Sequence, residues 1–296
     1  MRDEQSWTWA QGAPEPLPGR GAKVSALDLG YLTGTSLYET LRTYGARPFS
    51  LKAHLDRLEA GALRLGYPAP PREELAAALR RLAFLRAPAE SCLRFVFSPG
   101  ERFPLWEAQA PSEGRWTAYA SPLPPFPPSH YERGVHCIVS RFRRTPAGGF
   151  SPAVKVNGSP DLILARREAE ARGAFEAILL NGEGWLAEGA SSALFLVLKG
   201  RLVTPPISAG ILDSVTRSLV LALASRAGLP CAERPLRPEE AYEAEEAFLA
   251  STLKEIMPVV QIEGRAIGEG RPGPITHRLL RMYRELTADD TTGDLP

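Results

Sequence analysis

Two segments, Ser151-Pro-Ala-Val-Lys-Val-Asn-Gly158 and Ala177-Ile-Leu-Leu-Asn-Gly-Glu-Gly-Trp-Leu-Ala-Glu-Gly-Ala-Ser-Ser192, bracket the stretch whose reading decides the fold. Between them, Leu162–Arg172 mixes apolar and charged positions at helical spacing and is expected to be a helix. Asn181-Gly182 lies between two apolar runs, a pattern that predicts a tight hairpin. Lys155 is therefore expected at the end of one strand, and Glu188 just after the second strand of a hairpin.

A lysine flanked by Val154 and Val156 is expected in apolar surroundings, where burial disfavours the ammonium and yields a nucleophilic amine. Such an amine suits Schiff-base chemistry with an aldehyde cofactor, and a carboxylate such as Glu188 suits a protonated ring nitrogen. Taken alone, the pattern is weak, because a lysine beside a valine is more often a surface residue. An acid at a hairpin end is usually solvated.

Composition narrows the classes. With 296 residues, 44% hydrophobic and 23% charged, the chain is long enough for one large or two medium domains. A net charge of +1 gives no reason to expect nucleic acid or an anionic membrane surface. No apolar run approaches a membrane span and the first residues carry no signal-peptide core, so a cytoplasmic protein is expected. Cys92, Cys137 and Cys231 are far apart, and the four histidines form no metal-binding spacing, so no metal is expected. Lysines are scarce: Lys23, Lys52, Lys155, Lys199 and Lys254 are all there are.

Outside the central stretch, residues 1–22 read as an irregular arm with a short strand at Trp7–Ala10. Leu37–Tyr44 alternates as a strand, and Pro48–Leu51 reads as its short partner. Helices are expected at Lys52–Leu65, capped by Ser50, and at Pro71–Arg86. Strands are expected at Cys92–Ser98 and Trp116–Ala120. Ser121-Pro-Leu-Pro-Pro-Phe-Pro-Pro-Ser129 can be neither helix nor central strand and reads as a stiff linker. Beyond it, Val135–Ser140, Ala193–Leu198, Arg201–Thr204, Ala247–Ala250 and Ile256–Ile262 read as strands. Asp213–Ala227 reads as a helix capped by Asp213 or Ser214 and stopped by Gly228. Gly273–Leu286 reads as the closing helix, with Thr287–Pro296 a frayed tail.

Lys155, then Glu188-Gly189 with Leu194-Phe195, then Thr204-Pro-Pro206, then Gly210-Ile-Leu-Asp-Ser-Val-Thr-Arg217, in this order, resemble the class IV aminotransferases. These are the fold-type IV pyridoxal phosphate enzymes, which include branched-chain aminotransferases, D-amino-acid aminotransferases and aminodeoxychorismate lyases. The resemblance runs from about Val24 to Tyr283. It implies a two-domain α/β (α+β) fold with the active site between the domains. Residues 1–120 would form a small N-terminal α/β domain, 121–130 the Pro-rich linker and 131–296 a larger cofactor-binding domain.

The resemblance also implies roles. Lys155 would bond pyridoxal 5'-phosphate and be the catalytic base, and Glu188 would face the pyridine nitrogen. Arg57, Ser214, Val215, Thr216 and Thr252 would hold the phosphate. On the substrate side, Arg94 matches a carboxylate-binding arginine of the branched-chain group, Tyr38 a tyrosine of the D-amino-acid group and Thr40 a threonine of the lyases. Pro99 stands where the D-amino-acid group carries its carboxylate-binding arginine. Thr33, Pro160 and Ala193 replace a tyrosine, a tyrosine and an asparagine. Gly158 stands where lyases often have asparagine. The expected reaction moves an amino group between an amino acid, apolar or branched-chain favoured, and a 2-oxo acid, in a homodimer. The alternatives are lyase chemistry on aminodeoxychorismate, which Thr40 favours slightly, and a non-catalytic binding protein on the same scaffold.

Overall fold

The structure, a computed structural model, describes residues 5–19, 21–101, 113–144 and 152–289. The chain forms two compact units. One comprises Met1–Pro124, Val154–Gly158 and Thr287–Pro296, and the other Pro125–Ala153 and Ser159–Leu286. Sequence reasoning assigned everything after the linker to one domain. Val154–Gly158 instead packs in the first unit, because it hydrogen-bonds along residues 34–38: Tyr38 N–H donates to Lys155 O at 3.0 Å, Asn157 N–H to Ser36 O at 2.9 Å and Gly158 N–H to Gly34 O at 2.7 Å. Lys155 therefore lies within this edge segment, with Val156 bridged to Leu37, rather than closing a regular strand.

The first unit contains β1 (Trp7–Ala10), β2 (Leu17–Pro18), α1 (Leu29–Thr33), β3 (Leu37–Tyr44), β4 (Arg47–Pro48), α2 (Leu51–Arg64), α3 (Arg72–Arg86), β5 (Ser91–Ser98) and β6 (Arg115–Pro122). Its six strands form one antiparallel sheet in the order β2-β1-β6-β5-β3-β4. β3 alternates strictly between buried and half-buried residues, the period expected of a strand with one face on a core. Leu37 and Leu41 pack with Leu51, Leu55 and Leu58 of α2 and Leu75, Leu79 and Leu82 of α3. Ser50 does not cap α2 as expected. It adopts a left-handed φ of 52° and its side chain makes no capping bond.

The second unit contains α4 (Pro128–Arg133), β7 (Val135–Arg143), α5 (Pro160–Ala171), β8 (Glu176–Leu180), β9 (Leu186–Gly189), β10 (Ala193–Leu198), β11 (Arg201–Thr204), α6 (Val215–Arg226), β12 (Cys231–Glu233), α7 (Pro238–Tyr242), β13 (Glu246–Ser251), β14 (Glu255–Ile262), β15 (Arg265–Ala266) and, up to Leu286, α8 (Pro274–Asp289). Its sheet runs β12-β11-β10-β13-β14-β7-β8-β9, with β15 paired to β14. The β8–β9 connection is longer than the expected two-residue turn. Asn181 Oδ1 accepts from the N–H groups of Glu183 and Trp185, each at 3.0 Å, and the left-handed position falls on Gly184, φ 86°, rather than Gly182. Asparagine thus acts through its side chain as well as its backbone, whose N–H donates to Trp185 O at 2.8 Å and whose carbonyl accepts from Gly184 N–H at 3.1 Å. Glu188 lies inside β9, not after it. The C-terminal helix continues through Thr287, which is buried, so the expected fraying at that residue does not occur; 290–296 lie outside the described residues.

No helix among the described residues is long and apolar enough to cross a membrane. No cluster of three or more His, Cys, Asp or Glu that could hold a metal occurs among them.

Candidate active site

In the first unit, the two faces of β3 separate two groups of side chains. On the half-buried face, Tyr38 and Thr40 alternate with the core residues. Thr40 pairs directly across from Arg94 on β5, and Arg94 across from Tyr119 on β6. The Arg94 guanidinium stacks on the Tyr38 ring, 3.9 Å from its centroid. Lys155 Nζ lies 4.4 Å from the same centroid. The two cations reach the ring from opposite edges of β3, since β5 flanks one edge and the Lys155 segment the other. Such cation–π contacts contribute about 0.5–2 kcal/mol each and hold two like charges at a fixed separation. Asn157 Oδ1 accepts from Arg94 Nη2 at 3.0 Å, so the segment that carries Lys155 also orients Arg94.

The valines do not surround Lys155 as the sequence suggested. In an extended segment neighbours point to opposite faces, and Val154 and Val156 enter the helix-covered core while Lys155 turns to Tyr38. Among the described residues Lys155 has no ion-pair partner.

Arg57 lies in the other group. Glu39, on the core face of β3, is 1% exposed and accepts from Arg57 Nε at 2.7 Å and Nη2 at 2.6 Å. His54 Nδ1 is 2.7 Å from the same carboxylate. A carboxylate in an apolar row is tolerated only with such partners. Burial alone would push the Glu39 carboxyl up, but the charges and hydrogen bonds of Arg57 and His54 outweigh it and hold it at about 2. His54 is pulled below its ordinary value by burial, aided by Arg57 and Lys155 and opposed by Glu39.

The second unit gathers the remaining expected residues around α6. Ser214 caps it, accepting from Arg217 N–H at 3.3 Å, which decides between Asp213 and Ser214. The N–H groups of Val215 and Thr216 have no acceptor among the described residues, and the hydroxyls of Thr216 and Thr252 are 3.4 Å apart. Two open N–H groups, two hydroxyls and the positive helix end form a donor set suited to a phosphate.

Glu188 is buried and fixed from two sides. Arg144 Nε lies 2.9 Å from its Oε1, and Leu212 N–H is 3.3 Å from both oxygens. Arg144 is anchored in turn by Asp161, at 2.6 Å, and by Gly210 O, at 3.3 Å. Its guanidinium supplies the counter-charge that a buried carboxylate needs. A carboxylate accepts through both oxygens, which matches a protonated ring nitrogen. Pro160 stands at the first position of α5, where its missing N–H costs nothing, and it places Asp161 against Arg144. Gly158 is required by contact: a Cβ there would lie 2.7 Å from Gly34 O. The asparagine that lyases often carry at this place has no room without a backbone shift.

Sequence reasoning missed Glu39, His54, Arg144, Asp161 and Leu212. A signal existed for Glu39, since Leu37-x-Glu39-x-Leu41 puts a charge in a core row and demands a partner. Arg144 gives no such signal, since it stands with Arg141 and Arg143 in a run rich in arginine.

The sequence model for amino-transferase class IV matches residues 36–262. This chain therefore belongs to the class IV aminotransferase family, and it is an enzyme of that type. It is 30% identical over 303 residues to the branched-chain-amino-acid aminotransferase of Pseudomonas aeruginosa, covering 98% of this chain and 96% of the relative. The crystal structure of the Escherichia coli branched-chain amino acid aminotransferase superposes with a TM-score of 0.87 at 28% identity, over 98% of this chain and 96% of that one. The branched-chain amino acid aminotransferase of T.th. with pyridoxamine 5'-phosphate does so with a TM-score of 0.85 at 30% identity, over 98% and 95%.

Proposed function

We propose that this chain is a pyridoxal phosphate-dependent aminotransferase that moves an amino group between an apolar, branched-chain-favoured L-amino acid and a 2-oxo acid. The observation that carries the reading is Lys155. It is an amine with no ion-pair partner among the described residues, and it shares the Tyr38 ring with a guanidinium able to bind a carboxylate. The relatives are named branched-chain aminotransferases, and one was solved with pyridoxamine 5'-phosphate.

When bound, pyridoxal phosphate supplies an aldehyde that bonds amines and a protonated ring that withdraws electrons. Lys155 would hold that aldehyde, and its free amine would take a proton from the substrate α-carbon and later return one. Glu188, held by Arg144 and Leu212, presents negative charge to the ring nitrogen. Ser214, Val215, Thr216, Thr252 and Arg57 hold the phosphate. Arg94, oriented by Tyr38 and Asn157, binds the α-carboxylate, and Thr40 lies beside it. A cytoplasmic homodimer is part of the proposal.

The test uses single amino acids of both hands, added without any acceptor to protein loaded with pyridoxal phosphate. An aminotransferase completes half of its cycle alone, so the near-visible absorbance should fall with apolar L-amino acids. If no amino acid changes it and aminodeoxychorismate yields pyruvate, the reading is wrong and Thr40 was the informative residue.

A further inference from the structure

Lys254 is buried, only 9% exposed, and the reaction above does not use it. A buried ammonium requires partners. It contacts the Glu176 carboxylate, donates to Ser191 Oγ at 2.6 Å and faces the Phe175 ring at 5.5 Å. Glu176 is buried as well and organises a turn. It accepts from Ser191 N–H at 2.8 Å, Ser191 Oγ at 3.1 Å and Ser192 Oγ at 3.1 Å. That turn closes through Gly189 N–H to Ser192 O at 2.7 Å, and it begins at the residue after Glu188.

At its other end, Lys254 belongs to the connection between β13 and β14 that also carries Thr252. Its own carbonyl accepts from Tyr131 Oη at 3.1 Å. Thr252 lies two residues before it, with its hydroxyl 3.4 Å from that of Thr216. One buried ion pair thus ties the turn of the ring-nitrogen carboxylate to the turn of the phosphate hydroxyls. Stability alone does not call for charges here, because well-packed apolar residues in place of a buried pair are often as stable or more so. What the pair adds is geometry: a directional link that fixes one turn against the other.

We propose that Lys254 is a positioning residue for the cofactor, holding Thr252 in register with Thr216 and Glu188 through Glu176. This rests on the proposed function. Its specific consequence is that Lys254 acts on affinity for the phosphate and not for the ring, because Glu188 is anchored independently by Arg144 and Leu212.

The experiment titrates cofactor-free protein with pyridoxal phosphate and with unphosphorylated pyridoxal. The ratio of the two dissociation constants measures what the phosphate contacts contribute. Lys254→Met leaves the Glu176 carboxylate buried without its counter-charge, which threatens folding, so Lys254→Met/Glu176→Gln is measured beside it. The double variant should unfold at a denaturant midpoint near that of the unaltered protein. Its preference for the phosphorylated ligand should nevertheless fall on the order of 10-fold, the lower end of what losing an orienting partner costs at metal sites. Affinity for pyridoxal should stay unchanged. An unaltered preference in the double variant overturns the inference alone, as does an equal loss for both ligands. If the unaltered protein shows no preference for the phosphate, both the inference and the proposed function fall.

Discussion

Replacing Glu39 by glutamine keeps the shape of the side chain and removes only its charge. Glu39 has an ordinary value of 4.5 and is held at about 2, and at ~1.4 kcal/mol per pK unit this corresponds to about 3 kcal/mol of folding stability. The figure agrees with the ~3–5 kcal/mol typical of removing one partner from a buried ion pair. The sign follows from linkage. A carboxyl whose folded pKa lies below its unfolded value contributes fully above about 4.5, and that contribution is lost as pH falls toward about 2. Glu39→Gln should therefore be less stable than the unaltered protein by about 3 kcal/mol at neutral pH, with the gap closing across that acidic window. Burial holds the His54 pKa below 6.5 and Glu39 opposes that shift, so acid costs stability through His54 in both proteins and no less in Glu39→Gln; the closing of the gap is therefore read below about 4.5, where Glu39 itself titrates. The assay is urea unfolding of cofactor-free protein at a series of pH values, followed by tryptophan fluorescence. Trp7, Trp9 and Trp116 report from the same core. A neutral-pH gap below about 1 kcal/mol, or one that does not change with pH, refutes the reasoning.

Two further variants probe neighbouring claims. Glu188→Gln retains one acceptor oxygen for Arg144 and Leu212 but loses the charge offered to the ring nitrogen, so turnover should drop on the order of 10²-fold with cofactor still bound; an unchanged rate in steady-state assays would reduce Glu188 to a structural residue. Gly158→Ala forces a Cβ to within 2.7 Å of the Gly34 carbonyl oxygen, and the needed backbone shift should cost about 1–3 kcal/mol. A denaturant midpoint equal to that of the unaltered protein would show that the two segments are not tightly paired.

Elements whose signals are local were readable from the sequence. Trp7–Ala10, Leu37–Tyr44, Ala193–Leu198 and Arg201–Thr204 occur with the bounds expected, because alternation and turn residues act within a few positions. Non-local pairings were not readable. Nothing in Val154–Gly158 says that it pairs with residues 34–38, and the valines that suggested a buried amine instead point away from it. The family motif pointed to Lys155, Glu188 and the Ser214–Thr216 turn as candidates. It did not indicate that Glu39 grips Arg57 or that Arg144 grips Glu188, since those partners lie 18 and 44 positions away along the chain. Periodicity does flag a charge in an apolar row, but not which residue answers it. Lys254 illustrates the remaining gap, because a lysine in a polar-looking turn gives no sign of burial.

The central claim is that Lys155, and no other amine of this chain, bonds the cofactor. The most direct measurement loads the protein with pyridoxal phosphate, reduces it with borohydride and locates the phosphopyridoxyl group by peptide mass spectrometry. With only Lys23, Lys52, Lys155, Lys199 and Lys254 to choose from, the label should appear on the peptide containing Lys155 and vanish in Lys155→Ala. Labelling chiefly at another lysine, or retained in Lys155→Ala with near-visible absorbance intact, would contradict the account.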